Sequence, residues 1–440
     1  MLKVTPCSKS AVLYFLDKVK KNYYLEGGEP PGQWWGRGAR SLGLTGHVYE
    51  DEFVSTFYGF DPRLAYGLKK LRQTAGGDPV TYTTPDGTVA QREPSYAWDL
   101  CFSAPKSVSI AWAVAPERIR YLIESFHVLA VKVALEYLRE NAAIGRRGKG
   151  GLKREEVDLV IAQFLHGTSR AQDPQLHTHC LLMNIGVRAD GTTGAIETRR
   201  FYEFAKRAGT LYRAQLASYL TRCLGFSVRP HDAEHVRSFE LEVVPQKLIE
   251  LFSKRSQAIG QFLQDEFGLD PDERISAALR EYAALTTRPM KEGISREELF
   301  SQCREESAPF GLTPQFISRF SGGQEPEQLM VYEQCRAVKK ALNRLTTQNS
   351  TLTERELEQV VFEEAQYVGI GAKDAKEAVK AWIGEASVWK MEENRAHEPM
   401  YLGEVQGIKR YTTRGVIESE LEFLAQLDRI QQRVLTEVKT

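Results

Sequence analysis

The chain has 440 residues, 42% of them hydrophobic and 26% charged, with 58 basic side chains balanced by 58 acidic ones. That composition excludes a disordered or low-complexity chain and supplies cores for two or three domains, while zero net charge means that any nucleic-acid surface must be local. Six scattered cysteines without a Cys-x-x-Cys pair argue against a disulfide framework or zinc ribbon and fit a reducing cytoplasm. There is no apolar run of about twenty residues and no apolar leader core, which points away from membrane insertion and secretion.

In chain order, residues 10–24 begin like a short helix with Ser10 as N-cap and carry Tyr14, Tyr23 and Tyr24. A Gly/Pro turn cluster at 27–32 leads to Trp34-Trp35-Gly-Arg-Gly, which reads as a core edge, with a base-stacking platform as the alternative. A short helical region is expected within 51–77, then a hairpin around Pro85-Asp-Gly. Residues 95–103 alternate Tyr96, Trp98, Leu100 and Phe102 with Ala97, Asp99, Cys101 and Ser103, the pattern of a strand. Asp99 on its less apolar face must be paired or hydrogen-bonded, and a structural salt bridge would suffice. A helical stretch from 104 and a long amphipathic helix from about Pro116 to Asn141 follow, long enough to cover one face of a sheet. The glycine-rich segment 145–154 holds Arg146, Arg147, Lys149 and Lys153, either a solvated loop or hairpin tip or a contact for a phosphate backbone.

Three of the eight histidines fall within fourteen residues, as His166, His177 and His179. Apolar residues run into this stretch from Val157 and out of it from Cys180 to Val187, so two buried strands joined by a Pro-containing loop are expected. Alternate strand residues share a face, which points His177 and His179 the same way and lets His166 supply a third imidazole. Three imidazoles bind a first-row divalent metal and leave positions open for substrate. No His-Glu-x-x-His is present, against a zincin protease, and an oxygenase facial triad would need a carboxylate in place of one histidine. A metal held by neutral ligands keeps its full charge and suits polarising a phosphodiester oxygen, so the chemistry points to phosphoryl transfer. The loop adds Thr168, Ser169, Arg170 and Asp173, polar groups that could hold the site or a phosphate. A nucleophile would be metal-bound water or a side chain; tyrosine, with a pKa of about 10, needs help to lose its proton. Asp99 could give that help or could orient a metal histidine through its other nitrogen, and the sequence leaves both open.

A hairpin at 188–194, a strong helix from Phe201 to Leu224 and a strand pair near 226–229 and 238–243 come next, the pair expected to close the sheet. Helices follow at 245–267, 272–286 and 295–305. Strands early and helices late give an α+β catalytic domain over 1–245 with a helical region over 246–308. A linker at 309–325 then leads to a helical domain over 326–440, with helices at 326–346, 353–366 and 372–384 and a capping box at Thr353. Residues 351–400 carry eleven acidic and six basic side chains, so this domain is not the main DNA grip. No Gly-x-x-x-x-Gly-Lys-[Ser/Thr] occurs, and no nucleotide is expected to bind.

The motifs Asp99-Leu-Cys-Phe-Ser-Ala-Pro-Lys-Ser-Val-Ser109, His166-Gly-Thr-Ser-Arg170 and Asp173-Pro-Gln-Leu-His-Thr-His179, with the N-terminal tyrosines, resemble the F-type (MobF) conjugative relaxases of the His-hydrophobe-His (HUH) endonuclease group. The resemblance covers about residues 10–290 and includes the segments 35–44 and 252–259. It implies an antiparallel-sheet palm with the metal on its face and a tyrosine that attacks one DNA strand at an origin of transfer. A 5′-phosphotyrosine and a free 3′-hydroxyl would result, and the strand could later be rejoined. By position Tyr14 matches the family's first tyrosine and Tyr23 and Tyr24 its second pair, whereas Phe15 stands where a further tyrosine is usual. The resemblance also implies helical fingers over single-stranded DNA. The DNA contacts expected are Lys106, Arg146, Arg147, Lys149, Lys153, Arg170, Lys254 and Arg255.

By the same resemblance, magnesium or manganese is the metal expected in the cell, with zinc, nickel or cobalt held more tightly in vitro. Accessory relaxosome proteins and a type IV secretion coupling protein would be partners, in the cytoplasm of a bacterial donor, with passage to the recipient alongside the DNA. Segments from Thr351 and at 411–414 resemble the lead-in to a helicase whose P-loop is not reached. The alternatives are a non-cleaving origin-binding module, a metal hydrolase and a rolling-circle replication initiator.

Overall fold

The computed structural model describes residues 2–9, 11–13, 15, 29–76, 80–84, 86–148, 152–231, 237–269, 275–288, 294–320, 328–384 and 395–437. Two compact units form, the first from residues 1–213 and 224–322, the second from 214–223 and 323–440.

In the first unit the strands are β1 (Leu2–Cys7), β2 (Gln33–Trp35), the hairpin β3 (Val80–Thr83) and β4 (Val89–Arg92), β5 (Ala97–Ser103), the hairpin β6 (Ile144–Arg147) and β7 (Lys153–Glu156), β8 (Asp158–Thr168), β9 (Pro174–Val187), β10 (Thr193–Gly194) and the pair β11 (Val228–Pro230) and β12 (Phe239–Leu241). The main sheet runs β1-β5-β9-β8-β2 with every neighbour antiparallel, and β10 pairs with β9. Residues 180–187 of the central β9 are buried without a break, as a strand covered on both faces should be.

Alternation divides the sheet. One face carries Ala97, Asp99, Cys101, His177, His179, Leu181, Phe164 and His166; its apolar half belongs to a core with Phe15, Trp34, Phe53, Phe57 and Leu71. Helices α1 (Arg37–Ser41) and α2 (Glu50–Tyr58) close that core. The Trp35-Gly-Arg-Gly sequence now has a physical reason. A Cβ on Gly36, whose φ is 110°, would lie 2.2 Å from the Leu159 carbonyl oxygen, and one on Gly38 would lie 2.6 Å from that of Asp158, so only glycine lets α1 rest on β8. Trp34 is buried at the sheet edge and donates its indole N–H to Glu52, the core-edge arrangement.

The other face packs against α3 (Lys106–Val114), α4 (Glu117–Ala142) and the first part of α5 (Arg199–Leu224). Further helices are α6 (Gln246–Leu251), α7 (Lys254–Phe267), α8 (Ala277–Thr286), α9 (Arg296–Ser307) and α10 (Pro314–Ile317). The mixed helix and antiparallel-sheet class is as expected. Three details differ. β11 and β12 pair with each other and do not join the main sheet. The helix expected over 245–267 breaks between Leu251 and Lys254, where the Ser253 hydroxyl turns back to the Ile249 carbonyl. Residues 309–320 are not an extended linker: Leu312 and Ile317 are buried, and Phe320 stacks on Phe226 at 4.7 Å, because this stretch has apolar side chains to bury. Residues 246–308 cluster in the same unit as the sheet.

The second unit holds α11 (Gln328–Thr346), α12 (Glu354–Val368), α13 (Ala372–Ile383), the hairpin β13 (Pro399–Val405) and β14 (Ile408–Thr413), and α14 (Arg414–Glu437). Its core includes Val338, Leu342, Leu357, Phe362 and Trp382. Thr353 and Glu356 form the expected capping box. The hairpin was not expected; Tyr411 in it exchanges backbone hydrogen bonds with Leu352. Among the described residues no helix is long and apolar enough to cross a membrane.

Candidate metal centre

Register alone assembles the site. His166 stands opposite His177 across β8 and β9, while Ser103 and Cys101 of β5 stand opposite His177 and His179. Asp99, two residues from Cys101, shares their face. The three imidazole centroids lie 5.1 to 5.3 Å apart, and one nitrogen from each ring falls within 4.8 Å of the others. His177 donates Nδ1–H to the Gln175 carbonyl at 2.7 Å, and His179 Nδ1 meets Asp99 Oδ2 at 2.7 Å. A ring held through Nδ1 offers Nε2 to a metal, and a carboxylate behind it raises its basicity. Burial opposes a charge on His179, yet the Asp99 carboxylate outweighs it and holds the imidazolium form well above the ordinary imidazole range. Three convergent nitrogens, two with anchored rings and no carboxylate among the ligands, fit a divalent metal with open positions.

The support behind the ligands was not foreseen. Thr178, between the two histidines of β9, points to the opposite face, where its hydroxyl meets His127 Nε2 at 2.8 Å; His127 Nδ1 meets the Tyr212 hydroxyl at 2.7 Å. Burial pushes the His127 imidazole down to about 3, so it stays neutral. Beyond His166, Gly167 N–H donates to Glu29 at 2.8 Å, and Arg296 pairs with both Glu29 and Glu124. The only sequence signal for His127 was a histidine on the apolar side of an amphipathic helix; Glu29 gave none. Phe15 packs edge-on against His179 at 5.7 Å and lies tilted against Phe164 at 5.6 Å.

Of the other residues singled out, Tyr14, Tyr23, Tyr24 and Lys149 lie outside the described residues. The basic segment is a hairpin largely neutralised from its own surroundings. Arg146 and Arg154 pair with Glu197, and Arg147 pairs with Asp190 and Glu155. Lys153 is exposed, and Arg170 is half-buried in the loop before His177. Lys106 is not a solvated contact: its ammonium donates to the Pro174 carbonyl at 3.1 Å, and burial pushes it down to about 8. Lys254 pairs with Asp173. Arg255 departs furthest from the expectation of a DNA contact, because its guanidinium caps the carbonyls of Ala284 and Thr287 at the end of α8.

Fold and site together give the antiparallel-sheet palm with a histidine triad on its face that an HUH-type protein would have. The TrwC relaxase family model matches residues 8–310. The multifunctional conjugation protein TraI of Escherichia coli K12 is 33% identical over 303 residues, covering 66% of this chain and 15% of TraI. A second Escherichia coli TraI is 32% identical over 309 residues, with 67% and 15% covered. The chain thus spans about 15% of the length of these curated relatives. Among solved structures, conjugative relaxase TrwC with oriT DNA, in a copper-bound form, has a TM-score of 0.58 and 29% identity over 71% of this chain and 99% of that one. A metal-bound TrwC complex with oriT DNA has a TM-score of 0.59 and 28% identity over the same shares. The chain belongs to the TrwC relaxase family.

Proposed function

We propose that this chain cuts and rejoins one strand of single-stranded DNA at an origin of transfer, using Tyr14 as nucleophile. The observation that carries the reading is the triad itself, three imidazole nitrogens within 4.8 Å with His179 held by Asp99. His166, His177 and His179 would hold the metal, with magnesium or manganese as the cellular ion. When bound, the ion polarises the scissile phosphate and draws charge from its oxygens. Asp99 keeps His179 oriented and basic, the orienting role rather than that of the tyrosine's base. The Tyr14 oxygen forms a bond to phosphorus, its proton leaves, and the bond to the 3′ oxygen breaks, giving a 5′-phosphotyrosine and, once that oxygen takes a proton, a free 3′-hydroxyl. The bond energy is retained for rejoining. Phe15 beside His179 supports this choice, since it puts the residue next to Tyr14 at the metal face.

Tyr23 and Tyr24 would serve a second transfer step. Arg170 in the loop before His177 and Lys254 at the start of α7, the first of the finger helices, are proposed as backbone contacts, together with Lys149 and Lys153. Accessory relaxosome proteins and a secretion coupling protein are the partners proposed, in the cytoplasm of a donor cell. Incubation with an origin oligonucleotide and manganese, then denaturing gel electrophoresis, tests the reading. A covalent protein-DNA band is expected, lost in Tyr14→Phe and on chelation. Binding without a band would show an origin-binding module, a released 5′-phosphate without a band a hydrolase, and a band retained in Tyr14→Phe but lost in Tyr23→Phe a different nucleophile.

A further inference from the structure

Asp173 lies in the loop between β8 and β9, four residues before His177 and outside the ligand set. It is 1% exposed, and its carboxylate oxygens, which have no partner of normal hydrogen-bond geometry among the described residues, are approached by the backbone N–H and the ammonium of Lys254. Buried carboxylates normally take several hydrogen bonds or a close ion pair. Asp173 instead has Lys254 Nζ at 3.6 Å from Oδ1, with Lys106 adding positive charge while donating its own hydrogen bond to Pro174. Burial holds the Asp173 pKa above the usual carboxylate range despite both cations.

Lys254 is the complementary half of the observation. It opens α7, where the positive end of the helix disfavours a cation, and no acidic residue in the first turn compensates. Asp173 is the anion that offsets this cost. Yet the Lys254 side chain is 51% exposed, so one side of the ammonium meets a buried carboxylate and the other meets solvent. A helix N-terminus with a half-exposed ammonium and a loosely held internal anion has the form of an anion site that the protein occupies itself.

We propose that Asp173 is an internal competitor for Lys254: the carboxylate holds the ammonium in the DNA-free protein and still competes for it with a backbone phosphate of bound single-stranded DNA, so that in the wild type the phosphate engages it only in small part. The inference rests on the single-stranded DNA reading above. It makes part of the protein's affinity for an arbitrary strand latent, and it ties the finger helix α7 to the loop that leads into His177.

The test uses the full chain and a fluorescent oligothymidylate, which offers phosphates and no origin sequence. Affinity is measured by anisotropy across a salt series for the wild type, Asp173→Asn, Lys254→Met and the double variant. Each phosphate newly engaged in a single strand adds about 0.7 to the slope of log affinity against log salt. Asp173→Asn is expected to bind more tightly than the wild type, with a slope steeper by about that amount. Lys254→Met alone should fall well short of that change, because competition already blunts the lysine's contribution, and the double variant should lose the gain. A folded Asp173→Asn with the wild-type slope overturns the proposal, as does a full loss of slope in Lys254→Met alone, which decides the matter even if Asp173→Asn does not fold. If the wild type does not bind the oligonucleotide, it is the single-stranded DNA reading that falls, and this inference with it.

Discussion

Replacing Asp99 by asparagine separates the orienting role of that carboxylate from any structural one. Asp99 Oδ2 meets His179 Nδ1 at 2.7 Å, and the two side chains are 18% and 16% exposed, so water can take over little of the lost interaction. A charge-assisted hydrogen bond of this kind contributes about 1.5–3 kcal/mol. Removing a partner behind a metal-ligating histidine costs about 10–100-fold in metal affinity, which is about 1.4–2.7 kcal/mol and agrees with the first figure. Folding should respond less. Asp99 Oδ1 is buried without a hydrogen-bond partner among the described residues, so losing the charge relieves a desolvation cost while the hydrogen bond weakens. Asp99→Asn is therefore expected to weaken manganese and cobalt binding by one to two orders of magnitude, with little change in metal-free melting temperature. Calorimetric titration with each ion and thermal melts of the metal-free protein measure the two effects. Unchanged metal affinity would refute the orienting role, and a large loss of metal-free stability would make the pair a structural salt bridge instead.

Acid should destabilise the first unit through His127. Its folded pKa of about 3 lies below the unfolded value, so the unfolded chain takes up a proton that the folded chain refuses. The stability present above about pH 6.5 is then lost at up to about 1.4 kcal/mol per pH unit as pH falls toward the folded value. Urea unfolding at a series of pH values should show this slope flattened in His127→Gln, and an unchanged slope would place the acid sensitivity elsewhere. Arg255→Ala should cost about 1–2 kcal/mol in unfolding free energy through the lost caps on Ala284 and Thr287, yet leave the salt dependence of DNA binding as it was; a fall in salt slope would restore Arg255 as a backbone contact. Gly38→Ala should destabilise by about 1–3 kcal/mol, because its Cβ would sit 2.6 Å from the Asp158 carbonyl oxygen; a urea midpoint equal to that of the wild type would show that α1 can lift from β8 freely.

The histidine triad was legible because a strand has a period of two and an antiparallel register has few choices. Once Val157 to His166 and Cys180 to Val187 read as buried strands, the short loop between them forced His166 to face His177. The alternation of residues 95–103 put Asp99, Cys101 and Ser103 on one face, but whether that face was shared with the histidines depended on β5 lying next to β9. Nothing local in either strand encodes that neighbour, so Asp99 could be marked as needing a partner without the partner being identified. The same limit hid His127, whose two hydrogen bonds reach residues 51 and 85 positions away.

Charge was harder to read than hydrophobicity, for a physical reason. An apolar residue is buried by almost any apolar neighbour, so its periodicity suffices, whereas a cation is available to a ligand only if no particular anion or carbonyl claims it. The sequence 145–154 shows a row of cations, but Glu155, Asp190 and Glu197, which neutralise it, come from β7, the turn after β9 and the approach to α5. Lys254 and Arg255 are adjacent and chemically alike, yet one is held by a buried carboxylate with half its side chain in solvent, and the other is committed to the end of α8. A basic motif therefore names the residues a phosphate could use, and the fold decides which of them the protein has already used.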